Sequence, residues 1–338
     1  MKRVLSGIRA TGRLHLGNYL GAVKGMLELQ NSSEYETFYM VADVHTITTP
    51  YNVEELRKNR REVILDYLAA GLDPEKSVIF QQSEVNEHIE LAFYLSSVTT
   101  IAKMQHLPTF KDKVKQYPDH ATLALLNYPA LMAADIMLYK AELVPVGIDQ
   151  EPHLEIAREI VRRMNQDYGT DFPEPQRFKT TGEYIPSLTG EGKMSKTVEG
   201  SYINLTDDLE TIKGKVARIA TDDGNNTIHI DGEAVVFKNS TGETPPALGT
   251  LTKFINLFLS KADREKLSAR YSEGIRYGEL KQELAEAIFE ELKPMQDERK
   301  KYENNPELVD RIISEGNEKA RKVAEQTIDE VRQKMGLK

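Results

Sequence analysis

Three short apolar runs alternating with amphipathic stretches inside the first eighty residues constrain this chain more than any other feature. Val4-Leu5-Ser6 reads as a strand ending in a turn at Gly7, residues 38–42 as a second strand, and Val78-Ile79-Phe80 as a third. The second run is almost continuously apolar, as a parallel strand covered on both faces requires. Between the first two, residues 17–30 carry Leu20, Val23, Met26 and Leu27 at helical spacing. Asn52 and Glu55 form a capping box for the next helix, which Val63, Ile64, Tyr67 and Leu68 line and Gly71 can close. This repeating β-α-β pattern predicts a parallel sheet whose ligand sits at the carboxyl ends of the strands.

Further along, residues 91–103, 122–140 and 152–164 read as helices, with a buried strand at 143–146. Residues 169–206 are rich in turn formers and have little periodicity, and loops of that length commonly bind ligands. Helical spacing resumes at 207–219, 251–259, 261–271, 277–295 and 306–335, the last opened by Asn305-Pro306 and carrying Val323, Ile328, Val331 and Met335 as an apolar seam. Asp231-Gly232 predicts a tight turn between two short strands, hence a hairpin.

Composition narrows the function classes. At 338 residues the chain can build one large and one small domain. Zero cysteines exclude disulfides, iron-sulfur clusters and thiolate zinc sites, and fit a reducing cytoplasm. A net charge of -9 argues against a general nucleic-acid coat, though not against a local basic surface for one folded RNA, and neither DNA nor a membrane is an expected partner. No run has the length of a membrane span, and Met1-Lys2-Arg3 leads into a stretch too short for a signal-peptide core.

Two segments carry candidate chemistry. In Gly12-Arg13-Leu14-His15-Leu16-Gly17-Asn18, His15 and Asn18 can donate to phosphate oxygens, and Gly17 leaves room for an adenine ring above a helix start. The same residues also suit a plain β-α turn with His15 satisfied by backbone. In Lys193-Met194-Ser195-Lys196-Thr197, preceded by Gly190 and Gly192, two ammonium groups can neutralise pyrophosphate oxygens, or can simply form a solvated basic loop. Neither the GxGxxG fingerprint nor GxxxxGK[ST] is present, which disfavours dinucleotide binding and Walker-type hydrolysis.

HLGN and KMSKT resemble the two signatures of the class I aminoacyl-tRNA synthetases, HIGH and KMSKS. More specific are residues 128–136, YPALMAADI, residues 144–150, VPVGIDQ, and His153-Leu154-Glu155 beyond them; these resemble the bacterial-type tryptophanyl branch of that class, over nearly the whole chain. The resemblance implies an α/β fold: a Rossmann-like parallel-sheet nucleotide-binding domain with a small all-helical C-terminal domain. It implies a catalytic domain over residues 1–206, onto which a last helix near 306–338 packs back. Residues 207–305 would be an anticodon-binding domain with the hairpin inserted near 225–240. The implied reaction joins L-tryptophan and ATP into tryptophanyl-adenylate and pyrophosphate, then transfers the tryptophanyl group to the 3′-terminal adenosine of tRNA(Trp).

By the same resemblance, His15, Asn18, Lys111, Lys193, Ser195 and Lys196 face the ATP phosphates, and Arg9, Gly17, Gly147, Asp149 and Ile185 its adenine and ribose. Leu5, Gly7, His45, Tyr128, Met132, Asp135, Val146 and Gln150 surround tryptophan, Asp135 accepting the indole N–H and Met132 packing on the ring from the same helical face. The bland alternative is that Asp135 bridges internally and Met132 is core. His153 and Glu155 support the site. Magnesium comes with ATP, no zinc or other metal is fixed by the protein, and the expected assembly is a cytoplasmic homodimer. Three departures stand out: Ala10 where the family often has proline, Thr197 in place of serine, and residues 222–249, which follow the pattern poorly. A tyrosyl-tRNA synthetase is the nearest rival, followed by an adenylyl-transferring relative and a noncatalytic RNA-binding paralogue.

Overall fold

The computed structural model describes residues 1–179, 184–196, 198–222, 226–239, 241–272 and 276–338. Its strands are β1 (Lys2–Arg9), β2 (Tyr35–Ala42), β3 (Ser77–Gln81), β4 (Leu143–Pro145), β5 (Gln176–Phe178), β6 (Thr227–Asp231) and β7 (Ala234–Lys238). The helices are α1 (Leu16–Asn18), α2 (Lys24–Gln30), α3 (Asp43–Thr46), α4 (Val53–Ala69), α5 (Glu87–Ser96), α6 (Ile101–His106), α7 (Pro108–Gln116), α8 (Leu123–Leu138) and α9 (Glu151–Tyr168). They continue as α10 (Leu209–Ala217), α11 (Gly249–Phe258), α12 (Lys261–Ser272), α13 (Tyr277–Glu303) and α14 (Pro306–Lys334).

Two compact units emerge. The first comprises residues 1–13, 20–183 and 298–338; the second comprises residues 14–19 and 184–297. The first is a Rossmann-like parallel sheet in the order β3-β2-β1-β4-β5, flanked by helices. The chain builds outward from β1 to β3, then returns to the other side of β1 with β4. The reversal point therefore lies between β1 and β4, where open α/β sheets bind their ligands. The Ser6 hydroxyl donates to the Pro145 carbonyl at 3.1 Å across that seam.

Strand β1 is longer than its apolar run. Gly7 lies inside it, paired with Met40, rather than at its end. A Cβ at Gly7 would stand 2.6 Å from Met40 Cγ, so this glycine answers a neighbouring strand's side chain and not a turn. The helix expected over 17–30 is interrupted by a π turn at Tyr19–Val23, and the one expected over 91–103 is two helices, α5 and α6. Asn52 caps α4 by accepting from the Glu55 N–H at 3.0 Å.

Helix α14 packs in the first unit against β3, the edge strand. Ile328 and Val331 of the expected seam are buried, and Val323 and Met335 are partly so. The two backbones come close at Gly316, where a Cβ would overlap the Ile79 carbonyl oxygen. In the second unit β6 and β7 pair antiparallel around Gly232, and α11 and α12 pack on them. Among the described residues no helix is long and apolar enough to cross a membrane.

Candidate active site

The second unit gathers both signature segments. Leu16 N–H donates to the Ile203 carbonyl at 2.8 Å and Leu205 N–H to the Leu14 carbonyl at 3.0 Å, an isolated antiparallel bridge between HLGN and the segment that follows KMSK. His15 and Asn18 cap the helix start reciprocally. The Asn18 N–H donates to His15 Nδ1 at 3.3 Å, and the His15 N–H donates to Asn18 Oδ1 at 3.1 Å. Because Nδ1 accepts, the neutral ring carries its proton on Nε2. Burial, then the charges of Lys196 and Lys193, push the His15 pKa down to about 3. His15 is therefore a neutral N–H donor across the physiological range.

Gly17 also sits in a tight local setting. A Cβ there would lie 3.0 Å from the His15 ring and 3.3 Å from Met194 Cβ. Met194 itself is buried and anchors the lysine loop, its N–H donating to the Ile185 carbonyl at 2.9 Å. Ile185 is core. The loop turns through Gly190 and Gly192, both with positive φ, leaving Lys193 exposed and Ser195 and Lys196 half-buried. Thr197 lies outside the described residues.

In the first unit, the end of β1, α3, α7, α8 and the turn after β4 supply the remaining candidates. Leu5, Gly7 and Arg9 alternate onto one face of β1; Leu5 is fully within the core. Asp135 is 1% exposed, and both of its oxygens are engaged. Oδ1 meets Gln82 Nε2 at 2.7 Å and His88 Nδ1 at 2.6 Å, and Oδ2 meets His45 Nε2 at 2.8 Å. Burial pushes its pKa up, but the His45 and His88 contacts outweigh burial and hold the carboxyl below its ordinary value. Met132, half-buried, packs against the same core one turn earlier on α8. These contacts leave one lone pair on Oδ2.

A second cluster surrounds Tyr128. Its hydroxyl contacts Thr109 Oγ1 at 2.6 Å and His153 Nε2. His153 Nδ1 meets Gln150 Oε1 at 3.2 Å, and Gln150 Nε2 donates to Asp149 Oδ2 at 3.0 Å. Burial lowers the His153 pKa, consistent with a neutral ring donating from Nδ1. His153 thus links Tyr128 to Gln150 directly, while Glu155 is spent on Arg158 and Arg162 at the surface. Gly147 begins the single 3₁₀ turn that bears Asp149 and Gln150, and Val146 packs partly buried on the core.

Arg9 stands with this cluster. It donates to Thr49 Oγ1 at 2.7 Å and the Thr46 carbonyl at 3.3 Å, and its buried Nε has no hydrogen-bond partner. Burial lowers its pKa, opposed by Tyr117 and Tyr128. Of the lysines on α7, Lys111 is exposed, whereas Lys113 is half-buried, its pKa lowered by burial and then by Arg9. Sequence reading passed over Lys113, Thr109, Gln82, His88 and Tyr139. For His88 a signal existed: it shares the buried face of α5 with Leu91 and Leu95, a polar residue at an apolar position. Among the described residues no group of three or more His, Asp or Glu side chains could hold a metal ion.

The chain is similar to known proteins over its whole length. Residues 1–293 match the family model of class I tRNA synthetases for W and Y. The chain is 38% identical over 342 residues to the tryptophan--tRNA ligase of Porphyromonas gingivalis, covering 100% of both. It is 40% identical to that of Rickettsia conorii, covering 99% of each. A crystal structure of Campylobacter jejuni tryptophanyl-tRNA synthetase complexed with ADP and tryptophan superposes with a TM-score of 0.83 at 31% identity, covering 99% of each chain. A neutral histidine and two lysines on paired signature segments, a buried carboxylate on α8 and this end-to-end similarity have one common explanation: the chain belongs to the class I tRNA synthetases of the tryptophan and tyrosine family, on the bacterial tryptophanyl branch.

Proposed function

We infer that the protein is an ATP-dependent tryptophan--tRNA ligase. The observation that carries this reading is the meeting, in one unit, of the neutral His15 donor with Lys193 and Lys196. A tryptophan carboxylate oxygen attacks the α-phosphorus of ATP and the bond to pyrophosphate breaks. A ribose hydroxyl of the tRNA's terminal adenosine then attacks the adenylate carbonyl, and AMP leaves. No side chain need become a covalent nucleophile. His15 Nε2–H, the Asn18 amide, Ser195 and the lysines stabilise charge on the phosphates, and Arg9 and Lys113 supply cations near Tyr128.

Asp135 is the acceptor for the indole N–H, Met132 and Val146 pack on the ring, and Tyr128 and Gln150 take the ammonium end. Asp149, Gly147, Gly17 and Ile185 serve the nucleoside. Magnesium enters on the ATP phosphates. Helices α10–α13 with the β6-β7 hairpin bind the anticodon arm, and the enzyme works in the cytoplasm. The exposed apolar side chains Phe93 on α5 and Leu123 at the start of α8, 77% and 83% accessible, support a homodimer in which they are covered.

Amino-acid-dependent exchange of labelled pyrophosphate into ATP, scanned over all twenty amino acids, tests the reading. Exchange with tryptophan alone, abolished by Asp135→Ala, is the expected outcome. Exchange driven by tyrosine would select the sister specificity, and none at all would remove the enzyme assignment.

A further inference from the structure

The Asp135 carboxylate is held by more than its candidate substrate role requires. Two of its partners, Gln82 and His88, are fully buried, and both bind Oδ1. Two donors fill that oxygen's lone pairs. Oδ2 receives only His45, whose side chain retains 13% exposure. The single acceptor position left on the carboxylate is therefore on the one oxygen whose partner reaches solvent.

His88 is fixed from its other side. Its Nε2 lies 2.9 Å from the Tyr139 hydroxyl. Tyr139 is itself buried, stacked on Phe38 at 4.7 Å and tilted against Phe80 at 5.4 Å, with the His88 ring 5.9 Å from Phe80. Burial, with Asp135 and Glu87 nearby, keeps the Tyr139 phenol protonated. Its O–H donates to Nε2, which assigns the imidazole proton to Nδ1, pointing at Asp135.

We propose that His88, oriented by Tyr139, is a positioning residue that fixes the roll of the Asp135 carboxylate and reserves one Oδ2 lone pair for an N–H donor of the substrate. This rests on the reading that Asp135 receives the indole N–H. Without His88, Oδ1 keeps an unpaired lone pair in a buried setting. The carboxylate then rolls, or takes up a proton and presents an O–H in place of an acceptor. Either change removes discrimination for the indole N–H while leaving the phosphate chemistry intact.

The test uses the full-length protein in pyrophosphate exchange with tryptophan and with β-(3-benzothienyl)alanine, in which sulfur replaces the N–H. A preference of the wild type for tryptophan on the order of 10²-fold or more is expected from a site built to bind a donor. His88→Leu collapses that preference to within about tenfold of unity, chiefly through KM for tryptophan. His88→Asn, which keeps a side-chain N–H near the Nδ1 position, restores part of it. Tyr139→Phe, nearly isosteric and expected to fold, lowers the preference about three- to tenfold with kcat changed less than twofold. If Asp135→Ala abolishes the preference but Tyr139→Phe and any folded His88→Leu retain it, His88 is merely structural and the proposal falls while the Asp135 reading stands. A wild-type preference near unity instead overturns the Asp135 reading and the proposal with it.

Discussion

The side-chain oxygen of Asn317, in the middle of the last helix, accepts a hydrogen bond from the backbone N–H of Gln81 at 2.9 Å, in a buried setting at the end of the edge strand β3. An edge strand carries unpaired backbone donors, and here the terminal helix satisfies one of them. The next residue is Gln82, whose amide reaches Asp135. Residues near the C-terminus thus steady the strand end that presents a partner to the candidate tryptophan carboxylate.

That contact is possible because Gly316 lets the helix backbone approach β3. Gly316→Ala places a methyl group against the Ile79 carbonyl, and overpacking of this kind costs about 1–3 kcal/mol. Urea titration followed by circular dichroism should show a lower midpoint with an unchanged m-value.

His15 makes stability depend on pH with a definite sign. Its folded pKa is about 3, while an unfolded histidine titrates near 6.5. The unfolded state binds more protons between those values, so the contribution is complete above pH 6.5 and is lost as pH falls through the window. For a folded pKa near 3 the loss between pH 7 and pH 5 is about 2 kcal/mol. His15→Asn, which retains a side-chain acceptor for the Asn18 N–H, should flatten the curve by that amount relative to wild type.

Lys113 and Lys111 lie two residues apart on α7 and differ in burial. Lys113→Ala should lower kcat for adenylate formation by about 10²-fold, the scale of losing one charge-stabilising donor. Lys111→Ala should change kcat less than threefold. The reverse order in pyrophosphate exchange would assign the phosphate role to Lys111.

Thr109→Val removes the hydroxyl that meets Tyr128 and His153. Losing one such hydrogen bond costs about 1 kcal/mol, roughly a fivefold rise in KM for tryptophan. Unchanged kcat would place the effect on substrate binding. Because the chain has no tryptophan of its own, the fluorescence of the bound amino acid reads the same change at equilibrium.

Local rules made much of this protein legible from its residues alone. Continuous apolar runs marked the parallel strands, Asn52 and Asn305 announced helix starts, and the three-residue spacing of Met132 and Asp135 put both on one helical face. HLGN, KMSK and the 128–150 segment carried the family and, with it, the chemistry. Each of these signals spans a few neighbouring residues. What the tertiary structure alone decided involves residues distant in the chain. Met40, not a turn, demands Gly7; Ile79 demands Gly316; burial separates Lys113 from Lys111. Asp135 gains its character from Gln82, His88 and His45, drawn from the turn after β3, α5 and α3. Side-chain type and spacing specify which groups are available, but burial and hydrogen-bond geometry determine which of them act, and those exist only once the strands and helices have packed.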